Sequence, residues 1–204
     1  MISVQPSERA IVAIIGWEVG SPDEYETRPE WPGGDSGITI GIGYDLGYET
    51  TFRTDWQAHL PAGAVARLAT LRGLIGAPAM RSIGALRDIV VPFEAASAVF
   101  RERTLPRETA RTLAVFPGAE ALSGDSFGAL VSLVFNRGAS LDGDRRSEMR
   151  GIRDALAQDR ACLVPEMLRG MKRLWPNTPG LQRRRDGEAL LFEAGLPLGM
   201  MDIG

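Results

Sequence analysis

The hydrophobic positions of this chain fall into helix-length segments interrupted by one short stretch that alternates. Ile11, Val12, Ile14 and Ile15 recur at helical spacing behind Pro6 and Ser7, and Gly16 and Gly20 bracket the end of the run. This predicts a first helix that closes around Trp17-Glu18. Residues 21 to 37 lose any period and are rich in proline, glycine and acids, which predicts a loop. Ile38, Ile40 and Ile42 then alternate with Thr39, Gly41 and Gly43, the period of a tight hairpin or short strands with one apolar face.

Beyond the hairpin the pattern is helical. Thr54 is expected to cap a short helix at Asp55-Trp56-Gln57, Pro61-Ala62-Gly63 breaks it, and helical runs follow over 64–71 and 79–86. A long segment opens at Val91-Pro92-Phe93-Glu94 and extends to about Val115, with Pro106 expected to break or kink it. Phe127, Leu130, Val131, Val134 and Phe135 predict the most deeply buried helix, capped by Ser123 or Asp125 and closed at Asn136-Arg137-Gly138. Further helices are predicted over 148–157, 162–173 and 181–193, with a turn at Trp175-Pro176-Asn177-Thr178-Pro179-Gly180. The predicted class is α+β, mainly helical, in one domain.

Composition sharpens the picture in three places. At 204 residues and 44% hydrophobic content the chain can bury one sizeable core, and 7% aromatic content makes that core mostly aliphatic. The net charge of -3 argues against a general nucleic-acid binder, but the charge is uneven: 145–146, 169–173 and 183–185 are basic, whereas 23–30 is acidic. The basic patches suit an anionic polymer, or simply a solvated helix surface. Cys162 is the one cysteine, so no internal disulfide is expected, and with His59 as the one histidine a Cys/His zinc cluster is excluded. No cofactor or metal is expected. No apolar run approaches the length of a membrane span, so stable membrane insertion is not expected, and the N-terminus lacks the features of a secretory signal. The expectation is therefore synthesis in the cytoplasm.

The candidate chemistry is a pair of carboxyl groups. Glu18 closes an apolar helix, where the dipole disfavours a negative charge, the direction wanted of a proton donor. Asp35 stands at the entrance to the Gly-rich ribbon, beside Ser36, in polar surroundings that suit an ionised partner; Asp45, just after the ribbon, is the alternative second carboxylate. One protonated and one ionised carboxyl group are what hydrolysis of a glycosidic bond requires.

Trp17-Glu18-Val19-Gly20 after an apolar helix, Thr39-Ile40-Gly41-Ile42-Gly43, the run from Phe127 to Gly138, and the late region from Trp175 to Arg185 together resemble the phage-type (T4-like) lysozyme and endolysin muramidases. The resemblance implies a lysozyme-like fold: a small β-containing lobe at about 16–60, a helical lobe over about 61–204 that includes the N-terminal helix, and peptidoglycan glycan strands held in a cleft between them. It implies Glu18 as general acid, Thr39 as the residue positioning the attacking water and Asp35 as the base, with inversion expected. It also places Asn136 at the cleft and Tyr44 where that family has histidine; Tyr44 is expected either as a substrate-binding residue or as a packing residue with an anchored hydroxyl, and Arg137 either as a substrate-binding residue for peptide-stem carboxylates or in an ordinary ion pair. The activity implied is cleavage of the β-1,4 bond between N-acetylmuramic acid and N-acetylglucosamine by a monomer that reaches the periplasmic cell wall through a holin or a secretion system. Two other readings are carried forward: a chitosanase-like hydrolase of amino-sugar polymers, and a non-catalytic cell-wall-binding phage module.

Overall fold

Ser7 caps the first helix. Its hydroxyl accepts from the Ala10 N–H at 3.0 Å and donates to the Asp125 carboxylate, so α1 (Glu8–Val19) is tied at its start to the helix that carries Asp125. The computed structural model describes residues 4–197. It is mostly helical, with one two-stranded antiparallel sheet, β1 (Thr39–Ile40) against β2 (Tyr44–Asp45). The helices that follow are α2 (Phe52–Trp56), α3 (Ala62–Ala69), α4 (Ala77–Ser82), α5 (Phe93–Val99), α6 (Leu105–Val115), α7 (Gly124–Arg137), α8 (Ser147–Leu156), α9 (Val164–Gly170) and α10 (Pro179–Ala194). Among the described residues no helix is long and apolar enough to cross a membrane.

The chain forms two compact units, Glu18–Pro106 and Met1–Trp17 with Arg107–Gly204. The unit holding the hairpin thus reaches residue 106, where the sequence placed the edge of the small lobe near 60. Pro106 does not end its helix. A single π-helical turn, Phe100–Thr104, joins α5 to α6, which removes the demand for the N–H that proline lacks and lets the helix continue.

In the hairpin unit, Ile38, Ile40 and Ile42 are all buried with Leu46, Phe52 and Trp56. The expected alternating run folds into two-residue strands because Gly41 and Gly43, at φ +60° and +63°, turn the chain between them. A Cβ on Gly41 would come within 2.8 Å of the Trp56 ring, so the turn also seats against α2. That helix begins at Phe52, ahead of the predicted Thr54 cap, because the Phe52 ring is needed in the core, edge-on to Tyr44.

In the other unit, α7 is buried over every residue from Ser126 to Val134, as expected of a helix surrounded by others rather than lying on a surface. The Ser123 hydroxyl caps it by accepting from the Ser126 N–H at 3.2 Å, and Gly138 closes it by donating to the Val134 carbonyl at 2.7 Å. On α10, Arg184, Arg185 and Glu188 are buried together. Glu188 Oε1 accepts from Ser132 Oγ of α7 at 2.6 Å and from Arg185 Nη2 at 2.8 Å, and lies 3.3 Å from Arg184 Nε. One carboxylate therefore neutralises two buried guanidinium groups and fastens α10 to α7. Removing it takes a shared buried acceptor from both arginines and breaks the tie to Ser132, a loss of about 3–5 kcal/mol. We expect Glu188→Ala to lower the urea unfolding free energy by that amount; a drop below ~1 kcal/mol contradicts this role.

Candidate functional site

Glu18 occupies the last turn of α1, and Gly20, at φ +71°, ends the helix just beyond it. The chain then turns tightly, the Ser21 N–H donating to Glu24 Oε2 at 3.0 Å while the Glu24 N–H donates to Ser21 Oγ at 3.3 Å. Tyr25 tucks beneath this turn with its ring edge-on to Phe93, centroids 5.5 Å apart. Its hydroxyl is buried without a hydrogen-bond partner among the described residues, and burial, reinforced by Glu26, raises its pKa so that it stays a neutral phenol.

Thr39 sits at the middle of a three-residue row. On one side it exchanges both backbone hydrogen bonds with Glu30, at 3.0 and 2.8 Å. On the other it faces Asp45 across the hairpin. The Leu46 N–H donates to the Ile38 carbonyl at 2.8 Å, which makes Ile38 and Leu46 a bonded pair. Thr39 and Asp45 are then the adjoining non-bonded pair, in which facing side chains come closest. Directly opposed residues share a face, and Ile38 and Ile40 are buried beneath, so Glu30, Thr39 and Asp45 present their side chains on the side away from the isoleucines.

Asp45 is held in place. Both of its carboxylate oxygens lie 3.1 Å from the Gly37 N–H, and Oδ1 also accepts from the Gly47 N–H at 2.7 Å. Gly37 is required for this seat, since a Cβ there would meet the Asp45 carboxylate and come within 2.6 Å of Gly47 Cα. Among the described residues the Glu30 carboxylate has no such anchoring.

Glu18 and Thr39 line one cavity of about 210 Å³, together with Glu24, Tyr25, Glu26, Arg28 and Glu30. The structure thus brings two of the sequence-predicted catalytic residues to one place. Asp35 is elsewhere, on the exposed turn that follows Gly33 and Gly34, where its carbonyl accepts from the Tyr48 hydroxyl at 2.8 Å. Acids close to Thr39 come instead from Glu30 and Asp45, its two partners in the sheet.

Tyr44 does not line this cavity. It is 2% exposed and donates its hydroxyl to Asp55 at 2.7 Å; burial first, then Asp55, raises its pKa. Its ring stands edge-on to Trp56 at 5.5 Å, so it is a support of the hairpin. Asn136 and Arg137 belong to the other unit. Asn136 Oδ1 accepts from Arg185 Nη2 at 3.1 Å, and Arg137 lies over the Trp175 ring at 4.8 Å, its pKa lowered to about 10 by burial and by neighbouring arginines. Among the described residues no group of three or more His, Cys, Asp or Glu converges as a metal site.

Sequence reasoning offers the acids at 24, 26 and 30 only as an attraction for a cationic sugar, and misses Tyr25 and Arg28 as cavity residues. Their segment has no hydrophobic period, and only the concentration of acids there offered a clue. No protein-family model matches this chain, and none of the curated proteins matches it either.

The seat of Asp45 is testable on its own. Gly37→Ala is expected to cost about 1–3 kcal/mol in thermal or urea unfolding, because the added methyl must displace backbone as well as the carboxylate. Wild-type stability in that variant contradicts the described packing.

Proposed function

We propose that this chain is a glycoside hydrolase of the cell wall, a muramidase that cleaves the β-1,4 bond between N-acetylmuramic acid and N-acetylglucosamine. The observation that carries the proposal is the sharing of one cavity by Glu18 and Thr39, with Asp45 fixed opposite Thr39 in the hairpin. Glu18 donates its proton to the leaving oxygen as the bond from that oxygen to the anomeric carbon breaks. A water held between the Thr39 hydroxyl and the Asp45 carboxylate attacks that carbon and gives its proton to Asp45. Attack from the side opposite the leaving group inverts the anomeric centre, which requires the two carboxyl groups to stand roughly 6.5–9.5 Å apart to admit the water.

Asp45 takes the role assigned to Asp35 on sequence grounds. A base must hold its geometry, and Asp45 is fixed by two backbone N–H groups, whereas Asp35 is on an exposed turn. Release of reducing ends from purified peptidoglycan tests the assignment. Glu18→Gln and Asp45→Asn are each expected to lose about 10²–10⁴-fold in rate with an unchanged melting temperature. Asp35→Asn is expected to keep wild-type activity. Activity surviving in Glu18→Gln sinks the proposal; loss in Glu30→Gln with Asp45→Asn active reassigns the base to Thr39's other partner.

A second reading has its own support. Glu24, Glu26 and Glu30 line the cavity without an ion pair among the described residues, while Arg28 donates to the Arg87 carbonyl. A cavity with that excess of negative charge suits a cationic amino sugar, as in chitosan. Wild type and the triple variant Glu24→Gln, Glu26→Gln, Glu30→Gln should be compared on both polymers at low salt. Faster product release from chitosan, lost in the triple variant, favours the second reading; preference for peptidoglycan in both proteins excludes it.

A further inference from the structure

A second polar cavity lies in the same unit, on the chain just after the hairpin. Its volume is about 400 Å³, and it is lined by Gly47, Tyr48, Glu49 and Thr50 on one side and by Arg72 and Gly73 on the other. Tyr48 is 63% exposed, an unusual position for a ring of that size that is also tied down. Its backbone N–H donates to the Asp45 carbonyl at 3.2 Å and its hydroxyl to the Asp35 carbonyl at 2.8 Å. Fixed at both ends, the ring offers a flat apolar face with little rotational freedom left to lose on binding.

Arg72 supplies the charge. Its Nε donates to the Glu49 carbonyl at 3.4 Å, and it has no carboxylate partner among the described residues. That contact orients the guanidinium and leaves its terminal N–H groups available for a planar acid. Thr50 lines the same wall. Gly47 and Gly73 carry no side chain into the space, and the Gly73 N–H is held by the Leu46 carbonyl at 3.0 Å, which joins the two walls.

A tethered aromatic ring and a guanidinium without a carboxylate partner among the described residues, along one open cavity, match a pyranose that bears a carboxylate: the ring stacks on tyrosine and the acid meets arginine. We infer that the cavity at Tyr48 and Arg72 is a second saccharide site, separate from the one at Glu18 and Thr39, that binds a carboxylate-bearing sugar. The inference rests on the geometry of this cavity and not on hydrolysis, so it stands or falls independently of the proposed activity. Muramic-acid and uronic-acid units share the required chemistry.

The test is an NMR titration of the full-length chain with three probes: N-acetylmuramic acid, glucuronic acid and N-acetylglucosamine. We expect saturable shifts at the amides of 47–50 and 72–73 with one or both acidic sugars, and affinity for N-acetylglucosamine weaker by at least fivefold. Which acid binds more tightly identifies the source. Tyr48→Ala and Arg72→Gln should each weaken the acidic sugar by about tenfold or more at unchanged melting temperature. Tyr48→Phe, which keeps the ring and loses only its tether, should change it by less than threefold. No shifts at 47–50 with either acid, or equal affinity in wild type and both disruptive variants, overturns the inference.

Discussion

The demand that three isoleucines be buried decides what the hairpin can do. With Ile38 and Ile40 packed inward, the residue between them has to face the other way, and that residue is Thr39. A slip of one residue in the pairing would bury the threonine and expose the isoleucines, so the core enforces the register. Register in turn chooses the neighbours of Thr39, Glu30 on one edge and Asp45 on the other. The arrangement of side chains along the cavity wall is thus a consequence of packing on the opposite face, made possible by glycines at 37, 41 and 43.

Charge is distributed by the same logic of what is and is not neutralised. The basic C-terminal third that suggested an anionic partner is largely engaged with its own acids: Arg169 with Glu193, Arg173 with Glu148 and Lys172 with Asp186, each at 2.6 or 2.7 Å. Arg184 and Arg185 are buried around Glu188. Among the described residues the acids at 24, 26 and 30 have no such partners, and they line an open cavity. A net charge of -3 conceals this difference, because it counts paired and unpaired groups alike. Exposed pairs contribute little stability individually, so the effect of this distribution is felt at the cavity more than in the folding free energy.

Much of the fold was legible because its elements carry strong local signals. The periodic run at 11–15, the alternation at 38–42, the Ser123 cap and the Gly138 stop each appear where the pattern put them. Near Pro106 the regular ladder is interrupted and the helix is not ended, because a π turn before it removes the need for the missing N–H. The site was legible only in part. Glu18 and Thr39 stand out by their position at a helix end and inside an alternating strand. Asp35 looked better than Asp45 because it precedes Thr39 in a polar turn beside Ser36, where the resemblance also sets the base. The pairing across the hairpin, which brings Asp45 beside Thr39, and the return of the loop that brings Glu30 to its other side, are tertiary facts. Of the two readings of Tyr44, the packing residue with an anchored hydroxyl agrees with its bond to buried Asp55.

The functional account turns on whether Glu18 protonates one side of a glycosidic bond while water, held at Thr39 and Asp45, attacks from the other. The anomeric configuration of the first-formed reducing end, followed by proton NMR during digestion of purified peptidoglycan, tests this most directly. The account requires the α-anomer to appear first and mutarotate to the equilibrium mixture. Initial appearance of the β-anomer, or no new reducing end at all, contradicts it.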